Sequence, residues 1–505
     1  MKLVLDGHDM EYETGNLCFL FFPGEKLEKI PAAEASPRED GLVLTRLRRM
    51  KARVRAFVYI RRGGRAAVAA DYAAPGDRKG AECALGRAFV KAASRLCGFM
   101  PPWGILTGIR PAKLARELMA AGHTPEETGA LLQTQRLVTP PKAKLCVRTA
   151  LAEERIVRLS RPESVSLYIA IPFCPTRCLY CSFVSHDIAK AARLVPEYVT
   201  RLCEEIRATG RLVQKLGLRL ETVYMGGGTP TSLDADSLRR IFAAVGESFP
   251  LDGLREYTVE AGRPDTITPE KLAAIREAGA TRVCVNPQTL DDAVLRRVGR
   301  SHTTAQFYRA FAAARASGIA SINTDFIAGL PGDTREGFAR SIDGVLALAP
   351  ESITVHTLAM KRASRLVVQG EALYDPEGGP VPGMLADTEA KLEAAGYGPY
   401  YLYRQRNTRG NLENVGWARP GGECLYNIFI MDETHSILAV GAGGVTKLRQ
   451  PGGSRIERVF NFKYPYEYIA RFGEVLERKR QVESFYDRAH RQDENHTGTV
   501  ESAGA

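Results

Sequence analysis

Six short apolar runs follow one another between Val165 and about Met360: SLYIAIPF, TVYMGG, EYTVEAG, RVCVNPQ, SINTDFIAGL and SITVHTLAM. Longer amphipathic segments separate them, so the spacing is about thirty residues or more, enough for a crossover helix between parallel strands. Successive βα units of this kind build one parallel sheet, and six of them predict a partial (β/α)6 barrel rather than an eightfold one. In such a barrel, chemistry sits where strands end and loops begin.

The first run leads directly into CPTRCLYC, which spaces Cys174, Cys178 and Cys181 as C-x₃-C-x₂-C. Three thiolates holding a four-iron cluster leave one iron open to bind and activate something else. Structural zinc is the alternative, and its fourth ligand would have to be His186. The second run ends in GGGTPTSL, Gly226 to Leu233, where three glycines let backbone groups approach a ligand closely. The third, fourth and fifth runs end in Glu260, Gln288 and Asp325. A cap or a strand-end hydrogen bond explains any one of them; their recurrence on consecutive strands points to a shared ligand with amine, carboxylate and hydroxyl groups.

Outside this core, residues 1–158 mix strand candidates (VLTRLRR, RVRAFVYIRR, RAAVAADYA) with helical runs such as GRAFVKAASRLCGF and PAKLARELMAAG, as in an α+β accessory domain. The barrel is assigned to residues 159–375. After the Gly/Pro-rich DPEGGPVPG, residues 376–485 form a C-terminal, substrate-side extension with one helix (MLADTEAKLEAAGY) and Tyr-rich strands, and residues 486–505 are expected to be a disordered tail. The seven cysteines beyond the motif are scattered without framework spacing, as in a reducing compartment. The apolar run Leu17–Phe22 is too short to span a bilayer, so a cytoplasmic protein without a membrane partner is expected. A net charge of +11 suits either nucleic acid or a polycarboxylate, but basic residues are mostly interspersed with acidic ones, as in RLCEEIRATGRLVQK, and nucleic acid is not the expected partner.

CPTRCLYC, GGGTPTSL, VEAGRPDTIT, NPQTLDDAVLRRVGRSHT and DFIAGLPGDT together resemble the radical SAM superfamily and, within it, the oxygen-independent coproporphyrinogen III oxidases of the HemZ branch. WGILTGIRPAKL, VHTLAMKRASRL and RQRNTRGNLENVGWARPG carry the likeness to that branch. The resemblance implies that Cys174, Cys178 and Cys181 ligate a [4Fe–4S] cluster whose fourth iron takes S-adenosyl-L-methionine (SAM). It implies SAM contacts from Tyr168, Tyr180, Gly227, Gly228, Thr229, Glu260, Gln288, Arg300 and Asp325, and backbone contacts from Ile327 and Ala359. For Arg300 the alternative is a cap at the end of the helical LRRVGR. No side chain is assigned as an acid or base.

The activity implied is oxidative decarboxylation: a 5′-deoxyadenosyl radical abstracts hydrogen from a propionate β-carbon, CO₂ leaves, and coproporphyrinogen III becomes protoporphyrinogen IX in anaerobic haem biosynthesis. The partners implied are this tetrapyrrole and an electron donor such as flavodoxin or ferredoxin. Substrate carboxylates want cations, and Lys361, Arg362, Arg365, Arg404, Arg406 and Arg409 are the candidates, with His356 on the sixth run as a further contact. Two other readings stand beside the oxidase: a haem-binding and delivery protein, and a radical SAM enzyme acting on another substrate, such as RNA.

Overall fold

The computed structural model describes residues 1–501 apart from 109, 184, 362, 363, 369–374, 376, 406 and 454, and apart from the side chains of 367, 368 and 490–501. The six apolar runs are strands β1 (Ser164–Ile171), β2 (Arg219–Gly227), β3 (Glu256–Glu260), β4 (Arg282–Cys284), β5 (Ser321–Ala328) and β6 (Ser352–Thr357). They pair in chain order and all in parallel. Largely buried on both faces, they read as mostly apolar runs without strict alternation, the pattern of a covered strand.

The sheet does not stop at six strands. The C-terminal region supplies both flanks: β7 (Gly398–Arg404) and β8 (Glu413–Ala418) continue it antiparallel beyond β6, and β9 (Ser436–Val440) lies parallel to β1. Beyond β9 come β10 (Val445–Arg449) and β11 (Ile456–Phe460), making eleven strands in order β7-β8-β6-β5-β4-β3-β2-β1-β9-β10-β11. Glu205, on the first crossover helix Val195–Lys215, fastens this flank. It is fully buried and accepts from Gly441 N at 2.7 Å, Tyr468 Oη at 2.7 Å and Asn461 Nδ2 at 2.9 Å, with Lys479 Nζ at 2.8 Å. The region expected to be an extension on the substrate side therefore also builds the sheet.

At the N-terminus, Leu42–Arg49, Val54–Arg62 and Arg65–Ala73 form an antiparallel sheet, extended in parallel by Lys2–Asp6 and, at the edge, by the two-residue strand Glu28–Lys29. Helix Arg78–Cys97 covers one face, capped by Asp77 and ended by Gly98 at φ 83°. This module has its own core around Val43, Val58, Ile60, Ala88 and Phe89. The cores do not divide at 158: Trp103, Ala112, Leu145 and Ala150 belong to the core of the large sheet, and Trp103 Nε1 donates to Glu413 Oε2 at 2.7 Å. At the other end, helix Phe472–Glu501 takes the chain past position 486 with Tyr486 and Ala489 buried, so a tail beginning at 486 is not what the structure shows. Residues 502–505 and the side chains from 490 onward lie outside the described residues. Among the described residues, no helix is long and apolar enough to cross a membrane.

Candidate functional site

Phe173 and Cys174 leave β1 as a short strand paired with His186–Asp187, so the cysteine loop is closed at its base. Cys178 is buried and Cys174 and Cys181 are half-buried; all three are free thiols, and burial raises those of Cys174 and Cys181. Arg263, three residues past the end of β3 in the AGRPD loop, braces the cysteine loop. It donates to Thr176 O at 3.2 Å, Thr176 Oγ1 at 2.8 Å and Ser301 Oγ at 2.7 Å, and its Nη1 lies 3.6 Å from Cys178 Sγ. Sequence reasoning passed over this arginine, although it lies inside a quoted motif. Among the described residues, no three His, Cys, Asp or Glu side chains gather as a single metal ion would need. His186, the zinc alternative's fourth ligand, instead meets Tyr464 and Tyr466 edge-on.

The glycines of GGGTPT are needed chiefly by the protein itself. Gly228 N donates to Ile171 O and Thr229 N to Phe173 O, both at 2.7 Å, and a Cβ on Gly228 would fall 2.5 Å from Phe173 O. Gly227 sits at φ 106°, a conformation side chains rarely adopt. A Cβ on Gly226 would fall 2.9 Å from Glu260 Cδ. The two loops thus interlock, and Cys174 Sγ comes 3.5 Å from Thr229 Oγ1.

Around them opens a cavity of about 420 Å³. Every residue the resemblance implied lines it except Tyr168, which lies one layer beneath, its ring stacked against Tyr224 and Tyr426 and its hydroxyl behind Gly227. Glu260 Oε1 accepts from Tyr224 Oη at 2.5 Å. Asp325 accepts from Asn286 Nδ2 at 2.8 Å and Asn323 Nδ2 at 2.7 Å. Gln288 stands at φ 70°, and its buried Oε1 has no hydrogen-bond partner. Arg300 is not a helix cap: its buried guanidinium donates to Tyr180 Oη at 3.2 Å, Gly262 O at 3.0 Å and Asn286 O at 3.2 Å, joining the cysteine loop to the ends of β3 and β4.

Among the described residues, most of the candidate substrate-side cations lie elsewhere. Lys361 lines the cavity, but Arg404 is buried against the Trp103 ring and bonds Leu106 O and Asn411 O. Arg409 lines a second cavity with Arg297 and Asp333, and Arg365 is exposed on the short helix Arg365–Val368. Arg362 and Arg406 lie outside the described residues. In their place the cavity wall carries Tyr401 and Tyr403 of β7, with His356 Nδ1 3.3 Å from Tyr403 Oη and His356 Nε2 3.9 Å from Asp325 Oδ2.

Burial, with Asp325 nearby, pushes the Glu260 carboxyl up from 4.5 to about 7. Between those values the folded chain holds a proton that the unfolded chain has released. Stability of the cluster-free protein should therefore fall as pH rises from about 4.5 to about 7 and level off above, by on the order of 3 kcal/mol. Denaturation midpoints across this range check it: Glu260→Gln should flatten that fall, and an unchanged slope would contradict it.

A family model for the radical SAM superfamily matches residues 168–344, which span β1 to β5. The chain is also 38% identical over 402 residues to the oxygen-independent coproporphyrinogen-III oxidase-like protein HemZ of Bacillus subtilis (strain 168), covering 78% of itself and 80% of that relative. The chain belongs to the HemZ family of radical SAM proteins. Members of the superfamily bind a [4Fe–4S] cluster and SAM. Beyond the HemZ family, the heme chaperone HemW of the same organism is 31% identical over 313 residues, 61% of this chain and 76% of HemW. Among solved structures, coproporphyrinogen III oxidase (HemN) from Escherichia coli matches with a TM-score of 0.50 and 25% identity, over 64% of this chain and 72% of that one. The residues present fit both groups: three thiols share one mouth without converging on a single point, and beside them lie an unpartnered Gln288 Oε1 and the carboxyls of Glu260 and Asp325.

Proposed function

We propose that this HemZ-family protein oxidatively decarboxylates coproporphyrinogen III to protoporphyrinogen IX. Each new vinyl group requires loss of one hydrogen atom from a propionate β-carbon, release of CO₂ and transfer of one electron to an acceptor. The cluster, held by Cys174, Cys178 and Cys181, and SAM supply the hydrogen-abstracting chemistry when bound.

The protein's own tasks are positioning and exclusion of water. Glu260, held by Tyr224, and Gln288, with its open acceptor, are suited to the polar groups of SAM; Tyr180 and Arg300 fix the wall beside the third thiol. The observation that carries the reading is the composition of the cavity lining. Tyr401, Tyr403 and His356 line the same cavity as the thiols, giving aromatic groups and hydrogen bonds for a flat ring system, with Lys361 for a propionate. An electron donor of the flavodoxin or ferredoxin kind would reduce the cluster.

Anaerobic incubation of reconstituted protein with SAM, a reductant and coproporphyrinogen III should release CO₂ and protoporphyrinogen. Tight retention of haem with no product would instead favour the haem-carrier reading that the HemW likeness keeps open.

A further inference from the structure

The outer face of the N-terminal sheet carries a concentration of positive charge. Between Arg46 and Arg65 the chain carries nine basic residues and no acidic one, unlike the interspersed charges elsewhere. Side chains alternate across a strand, so Val43, Ala56, Val58 and Ile60 pack inward on the helix side while Arg46, Arg48, Arg55, Phe57 and Tyr72 share the other face. Register places Arg48 opposite Arg55, and Arg55 opposite Tyr72. The Arg53 guanidinium lies 3.9 Å from the centre of the Tyr72 ring, which is 41% exposed.

The nearby carboxylates are committed elsewhere: Asp6 to Arg46, Glu25 to Arg62, and Asp71 to Arg87 and Lys91 on the helix side. Among the described residues, no carboxylate pairs with Arg48, Arg53 or Arg55. At the far end of the face, Leu44 and Tyr59 are covered by the segment through Ile30 and Ala35, and Tyr59 Oη donates to Pro37 O. The open patch is thus confined to one end.

We propose that this patch binds single-stranded nucleic acid, with phosphates on Arg48, Arg53 and Arg55 and a base stacked on Tyr72. Arginines directly opposite one another repel unless an anion lies between them, and an open sheet face joining guanidinium groups to an exposed ring matches phosphate and base together. An acidic protein would want an apolar centre for its contact, and here Val68, Tyr72 and the turn residue Met50 stand apart among arginines.

Fluorescence anisotropy of the full-length protein with short labelled RNA and DNA single strands tests this. Binding should appear at low salt and weaken as salt rises. Arg48→Glu with Arg55→Glu should weaken it at least about tenfold and lower the salt slope by about two. Tyr72→Ala should weaken it about tenfold. The neutralising pair Arg48→Gln and Arg55→Gln repeats the test should the charge reversal disturb folding, and comparing RNA with DNA shows which strand is preferred. Absence of binding at low salt, equal binding of duplex, or unchanged affinity in the variants would overturn the proposal. So would displacement by polyglutamate with no effect of Tyr72→Ala, which would mark an acidic protein as the partner.

Discussion

Replacing Cys178 by Ala should abolish SAM cleavage and reduce bound iron to the level of protein that was never reconstituted. Three local thiolates leave no spare ligand, and no group of three metal-ligating side chains gathers elsewhere among the described residues to replace one. Cys178 is also the most buried of the three, with Arg263 Nη1 3.6 Å from its sulfur. Arg263→Ala gives a graded comparison: the thiols remain, but Thr176 and Ser301 lose their donor, so iron affinity should fall about ten- to a hundredfold rather than vanish. Iron analysis with the visible spectrum of the reconstituted protein reads both. A Cys178→Ala protein that keeps a full cluster would remove this thiol from the ligand set.

Gly228→Ala should be nearly as severe, for a different reason. The added methyl would meet Phe173 O at 2.5 Å and Ile171 O at 2.8 Å, and these same carbonyls accept the hydrogen bonds from Thr229 N and Gly228 N. Both neighbours are backbone, so neither can rotate aside, and the cysteine and glycine loops must separate. A destabilisation of about 2–4 kcal/mol is expected, together with loss of SAM cleavage even where the protein still folds. Gly246→Ala, on the helix Ala235–Ser248 with nothing within 4 Å of a new Cβ, is the control and should leave both nearly unchanged. Chemical denaturation and SAM turnover measured on the same preparations separate the two effects. Wild-type stability in Gly228→Ala would contradict the interlock.

The six parallel strands and the cysteine loop were legible because each is written locally: a covered strand is a short apolar run, and ligand spacing is a count along the chain. Strand β9 was not legible as a partner of β1, because that pairing spans about 270 residues and depends on Glu205 meeting Gly441, Tyr468 and Asn461. Arg263 and Tyr224 were missed for a related reason. Their importance comes from what they touch on neighbouring loops, and a lone arginine after a glycine or a tyrosine inside an apolar strand has no local mark. Arg300 was singled out, yet its bonds to Tyr180, Gly262 and Asn286 are not those of a helix end. The substrate side was read least well. Arg404, beside the C-terminal aromatic strands, reads as a carboxylate partner in the sequence, whereas in the structure it packs against Trp103, and Tyr401 and Tyr403 line the cavity.

In the proposed reaction, the cavity lined by the three thiols, Tyr401 and Tyr403 brings a propionate β-carbon to SAM. Anaerobic turnover with coproporphyrinogen III deuterated at those carbons measures this directly. Deuterium should appear in the 5′-deoxyadenosine released, matched by CO₂ and vinyl product. 5′-Deoxyadenosine without deuterium, or SAM cleavage with no CO₂, would contradict it.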